Sequence, residues 1–375
     1  GQRLPPPPAP QAAAERQAAH GDLVSLAAGQ PSTPAPAPGL AAAHRALDGH
    51  LLGYTESLGI PELREAIARH HREESGVAVT AEDVIVTTGS SGAFTLLFLA
   101  AFDVGDTVVM ARPGYPGYRN TLAALGCEVV EIDCGAQTRF QPTVEMLEAL
   151  PTPPAGLIVA SPANPTGTII DPAELARLAT WCEEHGTLLV SDEIYHGINF
   201  GDAVLSSAWE TSRESVVIGS VSKFFCMTGW RLGWMLCPPS LRRAVDRLTG
   251  NMTICPPVIS QLAAVEAFSA QSRVELDGHV RRYARNREIL LAGLPKIGIT
   301  DLAPADGAFY VYANVGHLTD DSLSWCTQVL AQTGVALTPG VDFDPIGGGQ
   351  TVRMSFAGAE SDIVEALDRL GKLLR

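Results

Sequence analysis

The chain has 375 residues, 46% of them hydrophobic, which is enough for a large α/β unit with a smaller companion rather than one simple core. A formal charge of -15 argues against nucleic acid or an anionic membrane surface as a partner, since either would need a basic face. Seven cysteines, an odd number with no CxxC pair and no Cys/His cluster, fit reduced thiols in a cytoplasmic protein better than a disulfide frame, and no metal site is predicted.

Residues 1–21, GQRLPPPPAPQAAAERQAAHG, run from prolines into alanines without the basic start and apolar middle of a signal peptide, and are predicted to form an extended arm. Helix and strand patterns then alternate: helix 63–72, strand 84–88, apolar helix 93–101, strand 107–110, strand 127–132, helix 144–150, strand 157–160, helix 172–185, and strands 188–190 and 216–218. The apolar run near 93–102 is far shorter than the roughly 20 residues a bilayer span needs, so no membrane segment is predicted. Strands this apolar, separated by helices, indicate an α/β fold with a mostly parallel sheet covered on both faces. After 257 come longer helices, 258–270 and 274–294, and then a mixed α+β tail. The arginines of 274–290 are expected on a solvated face, His70 and His71 are expected to be exposed, and Trp230 and Trp234 are expected in the core.

In such sheets ligands gather beyond the C-terminal ends of the strands. Five of those ends carry unusual sequences: TTGSSG, ARPGYPGY, SPANPTG, SDEIYHG and SVSK. Lys223 stands in GSVSKFFCMTGWRLGW with no carboxylate nearby in sequence, and an amine buried beside Phe224 and Phe225 would lose hydration and with it some of its basicity. The turn Gly89-Ser90-Ser91-Gly92 leads straight into a helix, which taken alone reads more readily as a tight turn and ordinary N-cap than as a phosphate seat. Ser220, Ser222 and Arg231, at another strand end, could converge on the same phosphate. Asp192 follows the apolar strand TLLVS and either caps the next turn or holds a proton on a ring nitrogen. Tyr195 and Asn164 could polarise an oxygen, and Tyr115 could lie flat on a planar ligand, although each alone is also an ordinary packing or turn residue. His196, beside Tyr195, is the histidine expected nearest the site. Together these are the groups needed to hold pyridoxal phosphate.

The sequence closely resembles the fold type I pyridoxal-phosphate enzymes, and among them the class I/II aminotransferases, through GYTESLGIPELREAI, TTGSSGAF, RPGYPGY, SPANPTG, SDEIYHG, SVSKFFCMTGWRLGW, DGAFYVY and VRMSFAG in family order. The resemblance implies an N-terminal arm with part of a small domain over 1–45, a large cofactor-binding domain over 46–270, and a C-terminal small domain over 271–375. It implies that Lys223 anchors the cofactor as a Schiff base and then shuttles the substrate proton. Asp192 would pair with the pyridine nitrogen, Tyr195 and Asn164 would bond the ring's phenolic oxygen, and Tyr115 would stack on the ring. Ser90, Ser91, Ser220, Ser222 and Arg231 would hold the phosphate, with Tyr54 reaching it from a neighbouring subunit of a homodimer. Arg353 would clamp the substrate α-carboxylate, helped by the backbone N–H of Gly29. Cys226 departs from the family, which usually has a smaller residue beside the lysine.

The activity implied is transfer of an amino group between an L-amino acid and a 2-oxo acid. The same apparatus also serves lyases, cyclases and oxidases, and a regulatory ligand-binding module is a third possibility that the acidic charge and the missing helix-turn-helix disfavour. No lysine or arginine falls in TTGSSG, which favours a neutral or aromatic substrate side chain over a dicarboxylate. The stretch 250–257, GNMTICPP, is a candidate contributor to the substrate pocket from the other chain.

Overall fold

The computed structural model describes residues 8–49 and 51–375. Its centre is a seven-stranded sheet in the order Val84–Thr87, Gly233–Leu236, Val216–Ser220, Leu188–Asp192, Gly156–Ala160, Thr107–Arg112 and Glu128–Asp133. All neighbours pair in parallel except Gly233–Leu236, which runs antiparallel to both of its partners. Val84–Thr87 and Val216–Ser220 are buried along their whole length, as strands covered on both faces must be. Helices fill the crossovers, and their ends are signalled locally. Pro172 stands at the first turn of Pro172–His185, Asp171 caps it by accepting from the Ala173 N–H at 2.9 Å, and Gly186 closes it in the left-handed region.

A second sheet of four strands, all paired antiparallel, runs in the order Thr338–Pro339, Thr351–Ser355, Tyr310–Asn314 and Asp301–Leu302. It meets the large sheet along a clasp at 340–344. The Gly114 N–H donates to the Phe343 carbonyl at 3.1 Å, Arg119 donates to the Asp342 carbonyl at 2.8 Å, and Arg112 faces Asp344 at 3.3 Å. Further round the same seam, Arg139 pairs with Asp306 at 2.5 Å.

Several expectations need correction. The N-terminal stretch is not an extended arm throughout: Pro8–His20 is helical, because its alanines favour helix and its prolines fall in the first turn, where their missing N–H groups cost nothing. Arg16 ties that helix down through Asp22 at 2.7 Å and the Ala331 carbonyl at 2.9 Å. Residues 1–7, the rest of the expected arm, lie outside the described residues. His71 is buried, not exposed, and its Nε2 accepts from Trp234 Nε1 at 3.0 Å. Helix Ala270–Gly293 is solvated on one side only, since Leu276, Tyr283, Asn286 and Leu290 are buried. Trp234 is in the core, as expected, whereas Trp230 is only half-buried at its edge. The antiparallel strand Gly233–Leu236 and the helix Pro239–Met252 have no counterpart in the sequence-based scheme.

Candidate active site

The five unusual strand ends open onto one cavity of about 450 Å³. Its lining includes Gly29, Ser90, Ser91, Tyr115, Asn164, Asp192, Tyr195, Ser222, Lys223, Arg231 and Arg353. Ser220 and Tyr54 are elsewhere. Ser220 lines a smaller cavity instead, and its hydroxyl donates to the Leu232 carbonyl at 3.4 Å and accepts from the Ser222 N–H at 3.0 Å. It therefore shapes the turn that presents Ser222. Tyr54 is 83% exposed and lies outside the cavity of its own chain.

At one end of the cavity, helix Gly89–Ala101 points its N-terminus inward, so the unpaired N–H groups of its first turn and its dipole favour an anion. Gly89 has φ +76°, and a Cβ there would stand 2.5 Å from Arg231 Nη2, so glycine is required to let the guanidinium close over the turn. Arg231, itself at φ +52°, is aimed by a bond to the Thr228 carbonyl at 2.8 Å. Gly233 brings the antiparallel strand against this turn, since a Cβ on it would meet the Ser90 nitrogen at 2.7 Å.

Lys223 Nζ donates to the Gly29 carbonyl at 2.6 Å and lies 5.5 Å from the centre of the Tyr195 ring. Burial, reinforced by Arg353, draws its pKa down to about 8, which leaves an appreciable share of nucleophilic free amine near neutrality. Asp192 is 4% exposed, and burial raises its pKa to about 6 against the pull of the Tyr118 hydroxyl, which donates to Oδ2, and of the Ile194 N–H at 3.2 Å to Oδ1. A carboxylate so placed gains most from a cationic partner. Behind it Glu193 is pushed up to about 7 and His196 down to about 4, both by burial. These two face each other at 3.6 Å beside a cavity of about 60 Å³, so His196 adjoins the site from behind rather than lining it.

Across the cavity Arg353 is 7% exposed, with its guanidinium between the rings of Tyr310 at 4.4 Å and Phe343 at 4.8 Å. Its Nη1 donates to Asn164 Oδ1 at 2.8 Å, and Nη2 donates to the Ala27 carbonyl at 2.8 Å and to Thr338 Oγ1 at 3.3 Å. Asn164 thereby keeps its amide N–H groups for a ligand. Two site residues have no role in the sequence-based scheme: Tyr118, which orients Asp192, and Tyr310, whose hydroxyl lies 2.6 Å from that of Tyr195. The only hints were their places in the motifs PGYPGY and DGAFYVY.

A mostly parallel sheet with an amine, an anion seat and a buried acid at its strand ends around one cavity defines a pyridoxal-phosphate enzyme of the α/β type, and the residues present suit that cofactor in charge and in room. The chain belongs to the family "Aminotransferase class I and II", whose model matches residues 21–370, and it is a pyridoxal-phosphate-dependent aminotransferase. It is 60% identical over 364 residues to the valine–pyruvate aminotransferase of Mycobacterium tuberculosis, covering 97% of this chain and 94% of that one. The aspartate/prephenate aminotransferase of Thermus thermophilus is 35% identical, with 94% and 91% covered. Among solved structures, an aminotransferase from Mycobacterium tuberculosis superposes with a TM-score of 0.97 at 58% identity, covering 99% of this chain and 97% of that one. Aspartate aminotransferase from Thermus thermophilus with maleate superposes with a TM-score of 0.92 at 33% identity, with 99% and 97% covered.

Proposed function

We propose that this aminotransferase acts on small amino acids with uncharged side chains, with valine as amino donor and pyruvate as acceptor as the leading pair, and that it works as a cytoplasmic homodimer. One observation carries the substrate class. The cations lining the cavity are Lys223, Arg231 and Arg353, and the chemistry allots one to the aldehyde, one to the phosphate and one to the α-carboxylate. Among the described residues of this chain's cavity none remains to pair with a second carboxylate, whose burial without a partner would be costly. Phe94, Ile194 and the methyl-bearing Thr95 and Thr121 on the wall suit an aliphatic side chain. The name of the relative at 60% identity points the same way.

Bound pyridoxal phosphate supplies an aldehyde that condenses with amines and a protonated ring that takes up the electron pair of the substrate's α-carbon. Lys223 would anchor the aldehyde carbon and, once displaced by substrate, carry the proton between the α-carbon and the aldehyde carbon. Asp192, held by Tyr118, would keep the ring nitrogen protonated. Tyr195 and Asn164 would donate to the ring's phenolic oxygen, and Tyr115 would cover one ring face. Ser90, Ser91, Ser222 and Arg231 would hold the phosphate, with Tyr54 supplied by the neighbouring subunit. Arg353 would grip the α-carboxylate with Gly29. The division of the chain at 45 and 270 belongs to the same proposal, supported by the confinement of the two larger sheets to 84–236 and 301–355.

Purified holoenzyme mixed with single amino acids tests this. Valine and alanine should bleach the visible band of the bound cofactor and yield the matching 2-oxo acid without ammonia, whereas aspartate should leave the band unchanged. A preference for aspartate would overturn the substrate class, and ammonia release would overturn transamination in favour of elimination. Lys223→Ala should fold and lose turnover by several orders of magnitude. Near-parental activity would remove Lys223 from its role.

A further inference from the structure

Tyr195 and Tyr310 both line the active-site cavity and are paired through their hydroxyls. Tyr310 is 1% exposed, its hydroxyl lies 2.6 Å from that of Tyr195, and among the described residues no other hydrogen-bond partner of the Tyr310 hydroxyl is seen. Its ring lies against the Arg353 guanidinium at 4.4 Å, and its oxygen crowds Gly29, where a Cβ would come within 2.7 Å. Each phenol has one proton, so the bond between them points in one of two directions. If Tyr195 donates to Tyr310, it has nothing left to give a ligand. If Tyr310 donates to Tyr195, the Tyr195 proton is free for the cavity.

We propose that Tyr310 is a positioning residue that donates to Tyr195 and so commits the Tyr195 proton to the cofactor's phenolic oxygen. The inference rests on the role given to Tyr195 above. Two features select the direction. An anionic oxygen in the cavity requires a donor, and Tyr195 has only one proton to meet that need. The Arg353 charge beside Tyr310 also makes the Tyr310 O–H the more acidic donor of the pair. Arg353 lies over the ring of the first phenol, and from that phenol two hydrogen bonds in series would lead to the oxyanion, each polarising the next. The charged or titratable groups facing the two hydroxyls are Arg353, Asp192, Lys223 and Tyr115.

The readout is the pH midpoint of the visible absorption band of the bound cofactor. Loss of the titrating proton leaves more negative charge on the phenolic oxygen, so a weaker donor at that oxygen raises the midpoint. Tyr310→Phe keeps the ring against Arg353 and removes only the hydroxyl. The expected outcome is a midpoint raised by about half a pH unit, the scale of one modest hydrogen bond. kcat should fall by about tenfold and KM for the amino donor should change little. Tyr195→Phe should raise the midpoint further, and adding Tyr310→Phe to it should have no additional effect, since the second phenol acts only through the first. If Tyr195→Phe shifts the midpoint while Tyr310→Phe leaves it in place, or if the two shifts add, this inference is overturned and the role of Tyr195 stands. If Tyr195→Phe itself leaves the midpoint unmoved, both are overturned.

Discussion

Arg353 already has three protein acceptors, so its guanidinium is held in place before any ligand arrives. Two donors are left over, one N–H of Nη1 and the unpartnered Nε–H, and a lysine cannot reproduce that fixed, planar spread of donors toward a carboxylate. Arg353→Lys is therefore expected to raise KM by about ten- to a hundredfold for every amino donor, the scale of one charge-assisted pair. Selective loss of a single substrate in steady-state kinetics would argue against a shared carboxylate grip. Glu193 tests the cost of the buried polar layer behind the ring site. Burial raises its folded pKa from 4.5 to about 7, so the carboxyl is neutral in both states below the lower value, and stability is lost progressively between the two values as the unfolded chain ionises first, the full cost being reached above the upper one. Glutamine keeps an oxygen for Ser191, Ser207 and the Ala208 N–H without that charge. The melting temperature of Glu193→Gln, relative to the parent, should rise between about pH 5 and pH 8. A difference that does not vary with pH would show that the carboxyl has the same pKa in the folded and the unfolded chain.

The turn between strand Val84–Thr87 and helix Gly89–Ala101 concentrates the strain of the site in Gly89. An alanine there meets both an unfavourable left-handed backbone, worth about 1–2 kcal/mol, and the Arg231 guanidinium. Gly89→Ala should weaken the cofactor's dissociation constant by at least about tenfold in titrations of cofactor-free protein, since about 1.4 kcal/mol corresponds to that factor. Undiminished affinity would exclude the turn as the phosphate seat. Much of this architecture was legible in the sequence, because short apolar runs separated by amphipathic helices leave few alternatives to a parallel sheet, and its strand ends are where small and polar residues interrupt the pattern. Gly233–Leu236 was illegible for a local reason. It follows the lysine turn directly and packs Trp234 against Gly219, so its four residues read as part of the motif rather than as a strand. His71 was misjudged because its helix carries charges on either side, and only the fold brings Trp234 to it. Tyr118 and Tyr310 escaped for a similar reason: a phenol's partner is chosen by tertiary structure, and both partners are far away in sequence.

At the scale of the whole molecule, two segments carry neighbouring exposed apolar side chains, Leu47, Leu51 and Tyr54 in one and Met252 and Ile254 in the other, with Leu51 93% exposed. The proposed homodimer would cover these groups. Leu51→Asp combined with Ile254→Asp should halve the sedimenting mass while preserving the far-ultraviolet spectrum, and should reduce activity by withdrawing Tyr54 from the neighbour's site. A parent protein that sediments as a monomer would refute the assembly. No helix among the described residues is long and apolar enough to cross a membrane. The clasp at 340–344 has a mechanical consequence. Phe343 lends its ring to Arg353 and its carbonyl to the Gly114 N–H, one residue before Tyr115. The group that grips the substrate and the aromatic plate beside the cofactor are thus geared through a single residue, and a shift of one toward its ligand is felt at once by the other.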